Sequence, residues 1–393
     1  MTILHVFNRY LQSGGEETAV EQIQRHLELR HEVPRCFFDS HEWTGSEAPN
    51  KASQALRFFY NPSSKQRFET RLHETKAHAA LFHNVYPVGS PSLYRSAKQK
   101  KLPVIQMLHN YRPFSVDGSL FYQGKPQSDP LNGKHFEEII SGSWQGSIAR
   151  SAICALMLSM LRRSGWLKSV SAWIAISEFM RQRFIESGQI PPHQIHTLRH
   201  SWDAMPSPPA YFDAGYYLFL GRLIPEKGLH TLISTWHELR NQLGVKTPTL
   251  KIAGDGPLSS WVKDQCLANP FIEHLGQIAG QAKHEALRDC RALIAPSIWW
   301  EPLGLIVYEA YDFAKPVLAA RAGGLTETVQ HQMTGLLHDA TNTAGLAQDI
   351  LTMESMSVEQ RRTMGQNGRS WLIREAGLKS WQDQFDSILS SVV

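Results

Sequence analysis

The sequence predicts an α/β protein of two domains, each built on a doubly wound parallel sheet. Three observations carry this: a chain of 393 residues, strand-like runs alternating with helix-like segments through both halves, and a proline-rich break near the middle. Single hydrophobic cores stop growing beyond roughly 250–300 residues, so a chain this long divides. Alternation of the two periodicities indicates parallel strands joined by helical crossovers. A cleft between two lobes is therefore expected.

Taken in order, the first half has strand-like runs at Ile3–Phe7, Ala79–Phe82, Pro103–Leu108 and Trp173–Ile176. The second has Tyr217–Leu220, Leu250–Ile252 and Ala292–Ala295. Between them, Ser201 to Ala214 (SWDAMPSPPAYFDA) holds three prolines and no apolar periodicity, as an interdomain connection does. The expected division is residues 1–205, residues 206–375, and a closing helix over 376–393. In that last segment Trp381, Phe385, Ile388 and Leu389 recur at three- and four-residue spacing and make one apolar face. Two placements stay open for it: a final turn of the second domain, or a crossing back onto the first.

Composition narrows the function classes. A hydrophobic fraction of 42% and a charged fraction of 19% are those of an ordinary globular protein. Forty basic residues against 36 acidic ones give a formal charge of +4, too balanced to imply a nucleic-acid-binding surface on its own, and no nucleic-acid partner is expected. Cys36, Cys154, Cys266 and Cys290 are widely spaced with no CxxC pair, which argues against a zinc site or a disulfide framework and fits a reducing compartment. The opening MTILHVFNRY reads as a buried strand rather than a signal peptide, so a cytoplasmic location is expected. The apolar stretch Ile148 to Leu161 is interrupted by Arg150 and is too short to span a bilayer. With Arg162, Arg163, Trp166 and Lys168 following, it suits either a buried helix with a basic end or a peripheral contact on a membrane face.

The densest chemistry lies in APSIWWEPLGLIVYEAYDFAKPVLAARAGG, Ala295 to Gly324. A strand is expected to end near Pro296, with Glu301 in the following loop and a helix starting at Pro302. The N–H groups of Leu303, Gly304 and Leu305 would then face outward, where a phosphate or sugar oxygen binds. Glu309 falls about 1.5 turns into that helix, so it and Glu301 can face one polyhydroxylated ligand from two levels. Upstream, YLFLGRLIPEKG (Tyr217 to Gly228) places Arg222 and Lys227 on one loop. Together they would stabilise a departing diphosphate without a metal. Read alone, each of these features is also compatible with a solvated face.

In order, GRLIPEKG, IAGDGP, PSIWWEPLGLIVYEA with the E-x7-E pair Glu301/Glu309, KPVLAARAGGLTE and TGLL resemble glycosyltransferase family 4, the glycosyl transferases group 1. The resemblance covers at least residues 216 to 340. It implies the GT-B fold, two Rossmann-like domains facing a central cleft, and retaining transfer of a hexose-type sugar from a nucleotide diphosphate sugar of the UDP or GDP type. It implies no cofactor and no metal site; the sequence holds no DxD run. In this reading Glu309 holds the ribose, Glu301 and the amides of Leu303, Gly304 and Leu305 hold the donor sugar, and Arg222 with Lys227 take the diphosphate charge. Backbone groups near Gly254 and around Gln277 and Ile278 would meet the base.

The first half resembles the family through weaker motifs. Gly14 and Gly15 in NRYLQSGGEETA match a glycine loop over the donor phosphates and sugar. His109 in LHNYRPF matches a histidine beside the donor sugar. Ser177 and Glu178 in WIAISEFM match a strand-to-helix step, where serine acts as a cap. At Leu198 to Ser201 the sequence reads LRHS where many members of the family carry an Asn-Gly pair, so Arg199 and His200 are candidates for a contribution particular to this subgroup. The acceptor side, Asn110 to Gln145, also departs from the family. The implied acceptor is a glycan or lipid-linked saccharide of cell-surface polysaccharide assembly. Two other readings of the fold are a sugar-nucleotide epimerase and a non-catalytic partner subunit.

Overall fold

The computed structural model describes residues 1–11 and 14–393. It divides into two compact units, one of Met1–Tyr122, Gln127–Ser201 and Leu378–Val393, the other of Gln123–Pro126 and Trp202–Gly377. The second unit thus starts at Trp202, at the head of the proline-rich stretch rather than after residue 205. No helix or strand forms from 203 to 214.

In the first unit, β1 (Ile3–Arg9), β2 (Arg35–Asp39), β3 (Ala79–Phe82) and β4 (Val104–Leu108) lie in one sheet. The short strand β5 (Phe121–Tyr122) lies outside it, β6 (Lys125–Pro126) falls to the second unit, and β7 (Ala172–Ala175) and β8 (Ile195–Thr197) complete the sheet. The order is β2-β1-β3-β4-β7-β8, and every pairing is parallel. Strands β3, β4 and β7 are buried throughout, as apolar runs in a sheet covered on both faces must be.

The closing helix Leu378–Ser390 belongs to this unit, which resolves the two placements left open above. Trp381, Phe385, Ile388 and Leu389 are all buried, with the Trp381 ring edge-on to His26 at 6.3 Å. Gln382 Nε2 donates to the His26 carbonyl at 2.7 Å, and Arg30 bridges Asp383 and Asp386.

The second unit holds β9 (Tyr216–Leu220), β10 (Thr249–Ala253), β11 (Ile272–Gly276), β12 (Ala292–Ala295), β13 (Val317–Ala320) and β14 (Gly335–His338). Their order is β11-β10-β9-β12-β13-β14, all parallel. Renumbered in sequence this is 3-2-1-4-5-6, the Rossmann order. Its direction of winding reverses between β9 and β12, and ligands of such sheets bind beyond the carboxyl ends of the strands at that point. The core is apolar: Tyr217, Leu232, Trp236, Leu250, Ile294 and Leu346 pack together, and the one polar atom of Trp236 donates to the Pro248 carbonyl at 2.8 Å.

The helix Ile148–Ser164 is packed rather than free: Ser151, Cys154, Ala155, Met157, Leu158 and Leu161 are buried. Arg162 is occupied inside the unit, donating to the carbonyls of Leu131 and Ser187. Ile148 and Leu156 remain exposed. Among the described residues no helix is long and apolar enough to cross a membrane.

Candidate active site

Two loops meet at the switch point of the second sheet. The loop after β9 runs through Gly221 and Arg222 to Gly228; the loop after β12 runs from Pro296 to Gly304. They are joined by main chain: Ile298 N–H donates to the Glu226 carbonyl at 2.9 Å. Gly228 has φ +74°, and a Cβ there would stand 1.9 Å from the Pro296 oxygen. Only glycine allows that approach. Gly228→Ala is expected to lose about 1–3 kcal/mol of stability through backbone strain, read as a lower denaturation midpoint at unchanged slope in urea. An unchanged midpoint would mean that the loops are not locked together.

The joined loops bring Lys227 to Glu301. Lys227 Nζ donates to Glu301 Oε2 at 2.7 Å, the same oxygen accepts from Ser297 Oγ at 2.9 Å and from Trp299 Nε1 at 2.8 Å, and the ammonium stands 5.4 Å from the Trp299 ring centre. Glu301 is 8% exposed. Burial pushes its carboxyl pKa up, but the Lys227 charge and these hydrogen bonds outweigh burial and hold it below its ordinary value. Arg222, on the same loop as Lys227, is exposed. Among the described residues no carboxylate pairs with it.

The helix after β12 begins at Leu305, not at Pro302. Gly304 takes φ +86°, a left-handed conformation that no α-helix residue adopts, so Pro302 and Leu303 belong to the loop. Among the described residues nothing accepts from the N–H groups of Leu303, Gly304 or Leu305. The Leu303 side chain is buried, which leaves only its main chain for a ligand. Behind the loop, a Cβ on Gly323 would lie 2.4 Å from the Glu301 oxygen and one on Gly324 2.6 Å from the Pro302 oxygen. The Gly-Gly pair of RAGGLTE therefore backs the Glu301 loop.

Glu309 lies within the helix Leu305–Asp312 and is taken by Lys283, whose Nζ is 2.6 Å from Glu309 Oε2 at an angle outside hydrogen-bond geometry. Glu301 and Glu309 thus serve two separate ion pairs. Gly254, Gln277 and Ile278 are neighbours: Gly254 N–H donates to the Gly276 carbonyl at 2.8 Å, and Gln277 is exposed. Gly254 also has a packing reason to be glycine, since a Cβ would meet the Gly221 oxygen at 1.8 Å.

In the first unit, Gly14 precedes the helix Gly15–Glu28. A Cβ on Gly14 or Gly15 would meet nothing within 4 Å, so packing does not demand glycine at either. Gln12 and Ser13, in the same segment, lie outside the described residues. Glu16, next on the helix, accepts from Tyr10 Oη and Asn110 Nδ2, each at 2.7 Å, which ties the glycine segment to the residue after His109. His109 is buried and hydrogen-bonded to His83. Burial first, and the neighbouring His200 and His5 next, push its pKa well below the ordinary histidine value. Ser177 caps its helix by accepting from Met180 N–H at 3.1 Å, and Glu178 is occupied by Thr197, Arg181 and Gln182.

Sequence reasoning missed Lys283, Ser297, Trp299, Gly323, Gly324, His5 and His83. The histidines had a signal: His5 sits inside the apolar run ILHVF, where a buried polar side chain needs a partner.

Comparison with known proteins gives the same architecture. Residues 202–371 match the family of glycosyl transferases group 1. An uncharacterized glycosyltransferase of Methanocaldococcus jannaschii is 31% identical over 161 residues, covering 40% of this chain and 43% of that protein. The GDP-mannose-dependent alpha-(1-6)-phosphatidylinositol monomannoside mannosyltransferase of Mycobacterium tuberculosis is 31% identical over 163 residues, 39% of this chain and 41% of that protein. The chain thus spans about two fifths of the length of these curated relatives. Among solved structures, Anabaena Alr3699/HepE in complex with UDP superposes with a TM-score of 0.68 at 19% identity, covering all of both chains. Sucrose-phosphate synthase from Thermosynechococcus elongatus gives a TM-score of 0.69 at 15% identity over 100% of this chain and 99% of that one. The fold class is GT-B, two Rossmann-like parallel-sheet domains.

Proposed function

With residues 202–371 a glycosyl transferases group 1 domain, we propose that the chain is a retaining glycosyltransferase that moves a hexose-type sugar from a UDP or GDP donor to a glycan or lipid-linked saccharide. The observation that carries this reading is the Lys227–Glu301 pair, on loops beyond the carboxyl ends of β9 and β12, the first of which also carries Arg222. Relatives about 31% identical over some two fifths of this chain are named a glycosyltransferase and a mannosyltransferase, and Anabaena Alr3699/HepE was solved with UDP-glucose.

The chemistry follows from charge. As the anomeric C–O bond breaks, negative charge grows on the departing diphosphate, and Arg222 and Lys227 are the cations on the loop assigned to receive it. The acceptor hydroxyl attacks the anomeric carbon from the leaving-group face, and its proton passes to a diphosphate oxygen. Glu301 holds sugar hydroxyls, the N–H groups of Leu303, Gly304 and Leu305 bind sugar or phosphate oxygens, and Glu309 takes the ribose. Glu309 does so by exchanging Lys283 for hydroxyl donors. Gly254, Gln277 and Ile278 meet the base. Gly14, Gly15 and His109 are the first unit's contributors to donor binding. Peripheral contact with an anionic membrane rests on exposed Ile148 and Leu156 with Arg163 and Lys168, and vesicle flotation tests it.

Thermal-shift screening against UDP, GDP, ADP and their sugars, followed by mass spectrometry of the products with saccharide acceptors, tests the activity. Transfer to an acceptor is the expected result; conversion of donor without acceptor would establish an epimerase instead. Arg222→Ala is expected to lower kcat about tenfold to a hundredfold, about 1.4–2.7 kcal/mol, with the melting temperature unchanged because its side chain is exposed. Unchanged kcat would remove Arg222 from the site.

A further inference from the structure

Four histidines of the first unit form one hydrogen-bonded chain, and its polarity can be read from one end. Gln24, buried on the helix Gly15–Glu28, donates through Nε2 to Glu28 Oε1 at 2.6 Å and to the Val33 carbonyl at 2.7 Å. Both partners are acceptors only, so the amide orientation is fixed. Gln24 Oε1 faces His5 Nδ1, which must therefore carry the hydrogen.

A neutral imidazole has one N–H and one lone pair. His5 Nε2 then accepts from His83 Nε2 at 2.6 Å. His83 Nδ1 accepts from His109 Nε2, also at 2.6 Å, and His109 Nδ1 accepts from His200 Nε2 at 3.4 Å. His200 Nδ1 ends the chain, buried and, among the described residues, without a partner. Neutrality is enforced by burial, which lowers the pKa of His5 and His200 to about 4 and those of His83 and His109 well below the ordinary value. The nitrogens pair in series rather than converge, and among the described residues no three His, Cys, Asp or Glu side chains are placed to hold a metal.

We infer that Gln24, His5 and His83 are positioning residues that hold His109 in a single neutral tautomer, with N–H on Nε2 and the lone pair on Nδ1. With Nε2 donating to His83 and Nδ1 accepting from His200, both ring nitrogens are engaged and the ring is held in one orientation. The catalytic consequence rests on the reading of His109 as a donor-sugar residue, whereas the tautomer does not.

The test is a two-bond 1H–15N correlation spectrum of the full chain with 15N-labelled histidine at neutral pH, without substrate. Expected are His5 as the Nδ1–H form and His83, His109 and His200 as Nε2–H forms. His109 found as Nδ1–H, or protonated at both nitrogens, would overturn the inference. In Gln24→Leu, which lies outside the transfer chemistry, His109 is expected to show both tautomers. Its kcat should fall about tenfold to a hundredfold, the scale of a misplaced catalytic group, with KM unchanged. An unaltered His109 signature in that variant would also overturn it. Because the spectrum needs no turnover, a chain that transfers no sugar fails the functional reading and leaves the tautomer result standing.

Discussion

Lys227→Ala is expected to lower kcat by about 10²–10³, the range for removing one preorganised charge-stabilising donor, and to make stability fall with rising pH. In the native protein Glu301 is held below its ordinary carboxyl pKa of 4.5. Its ionised form therefore stabilises the fold above about pH 4.5, and that contribution is lost as pH falls through the lowered value. Without Lys227 the leading influence is burial, which raises the pKa. The protonated form is then the stable one, and its contribution is lost as pH rises through the raised value. The variant should thus lie close to the native protein near pH 4 and fall behind it toward pH 7, by about 3 kcal/mol, the lower end of the range for breaking a buried pair. Ser297 and Trp299 still donate to the carboxylate, which keeps the loss at that end. Urea unfolding across this pH range measures it. A gap that stays constant would mean that the two side chains are not electrostatically coupled.

Glu301→Ala should give a comparable loss of kcat/KM, about 10²–10³, for a different reason. One oxygen gathers three donors, Lys227, Ser297 and Trp299, and its removal frees the ammonium to swing away from the diphosphate it is assigned to meet. Stability should suffer less than in Lys227→Ala, because Lys227 is the more exposed partner and can turn to water. Glu301→Gln separates charge from shape: it keeps an oxygen for Ser297 and Trp299 but no longer anchors the ammonium. Kinetics of both variants with the same donor decide between these roles. If Glu301→Gln retains full kcat, the carboxylate charge has no part in transfer.

What the sequence made legible follows from which signals are local. The central strands β1, β3, β4, β7, β9 and β12 are largely apolar runs buried on both faces and were readable, as was β10 through its buried Leu250, Ile252 and Ala253. The edge strands β2, β8 and β11 were not, because an edge strand is half covered and its apolar pattern is broken, as in the alternating burial of IEHLG in β11; the edge strand β14 is buried throughout but only four residues long. Strand β13 is a four-residue run inside KPVLAARAGG, too short to stand out from the glycine-rich loop that follows it. At the site, Glu301, Glu309, Arg222 and Lys227 were found by motif spacing. Their partners were not: Lys227 and Glu301 are 74 residues apart, and Lys283 meets Glu309 across two helices. The helix start was misplaced because proline after a strand suggests a first turn, while the left-handed Gly304 two residues later forbids one. His5, His83 and His109 come together only because β1, β3 and β4 are adjacent in the sheet.

The central claim is that the Lys227–Glu301 loops of the second unit bind a nucleoside diphosphate. Calorimetric titration of the full chain with UDP, GDP and ADP tests it directly. One of UDP and GDP should bind, with affinity reduced at least about tenfold in Lys227→Ala, a change of about 1.4 kcal/mol. Absence of binding by all three nucleotides, or equal binding by the native protein and Lys227→Ala, would contradict it.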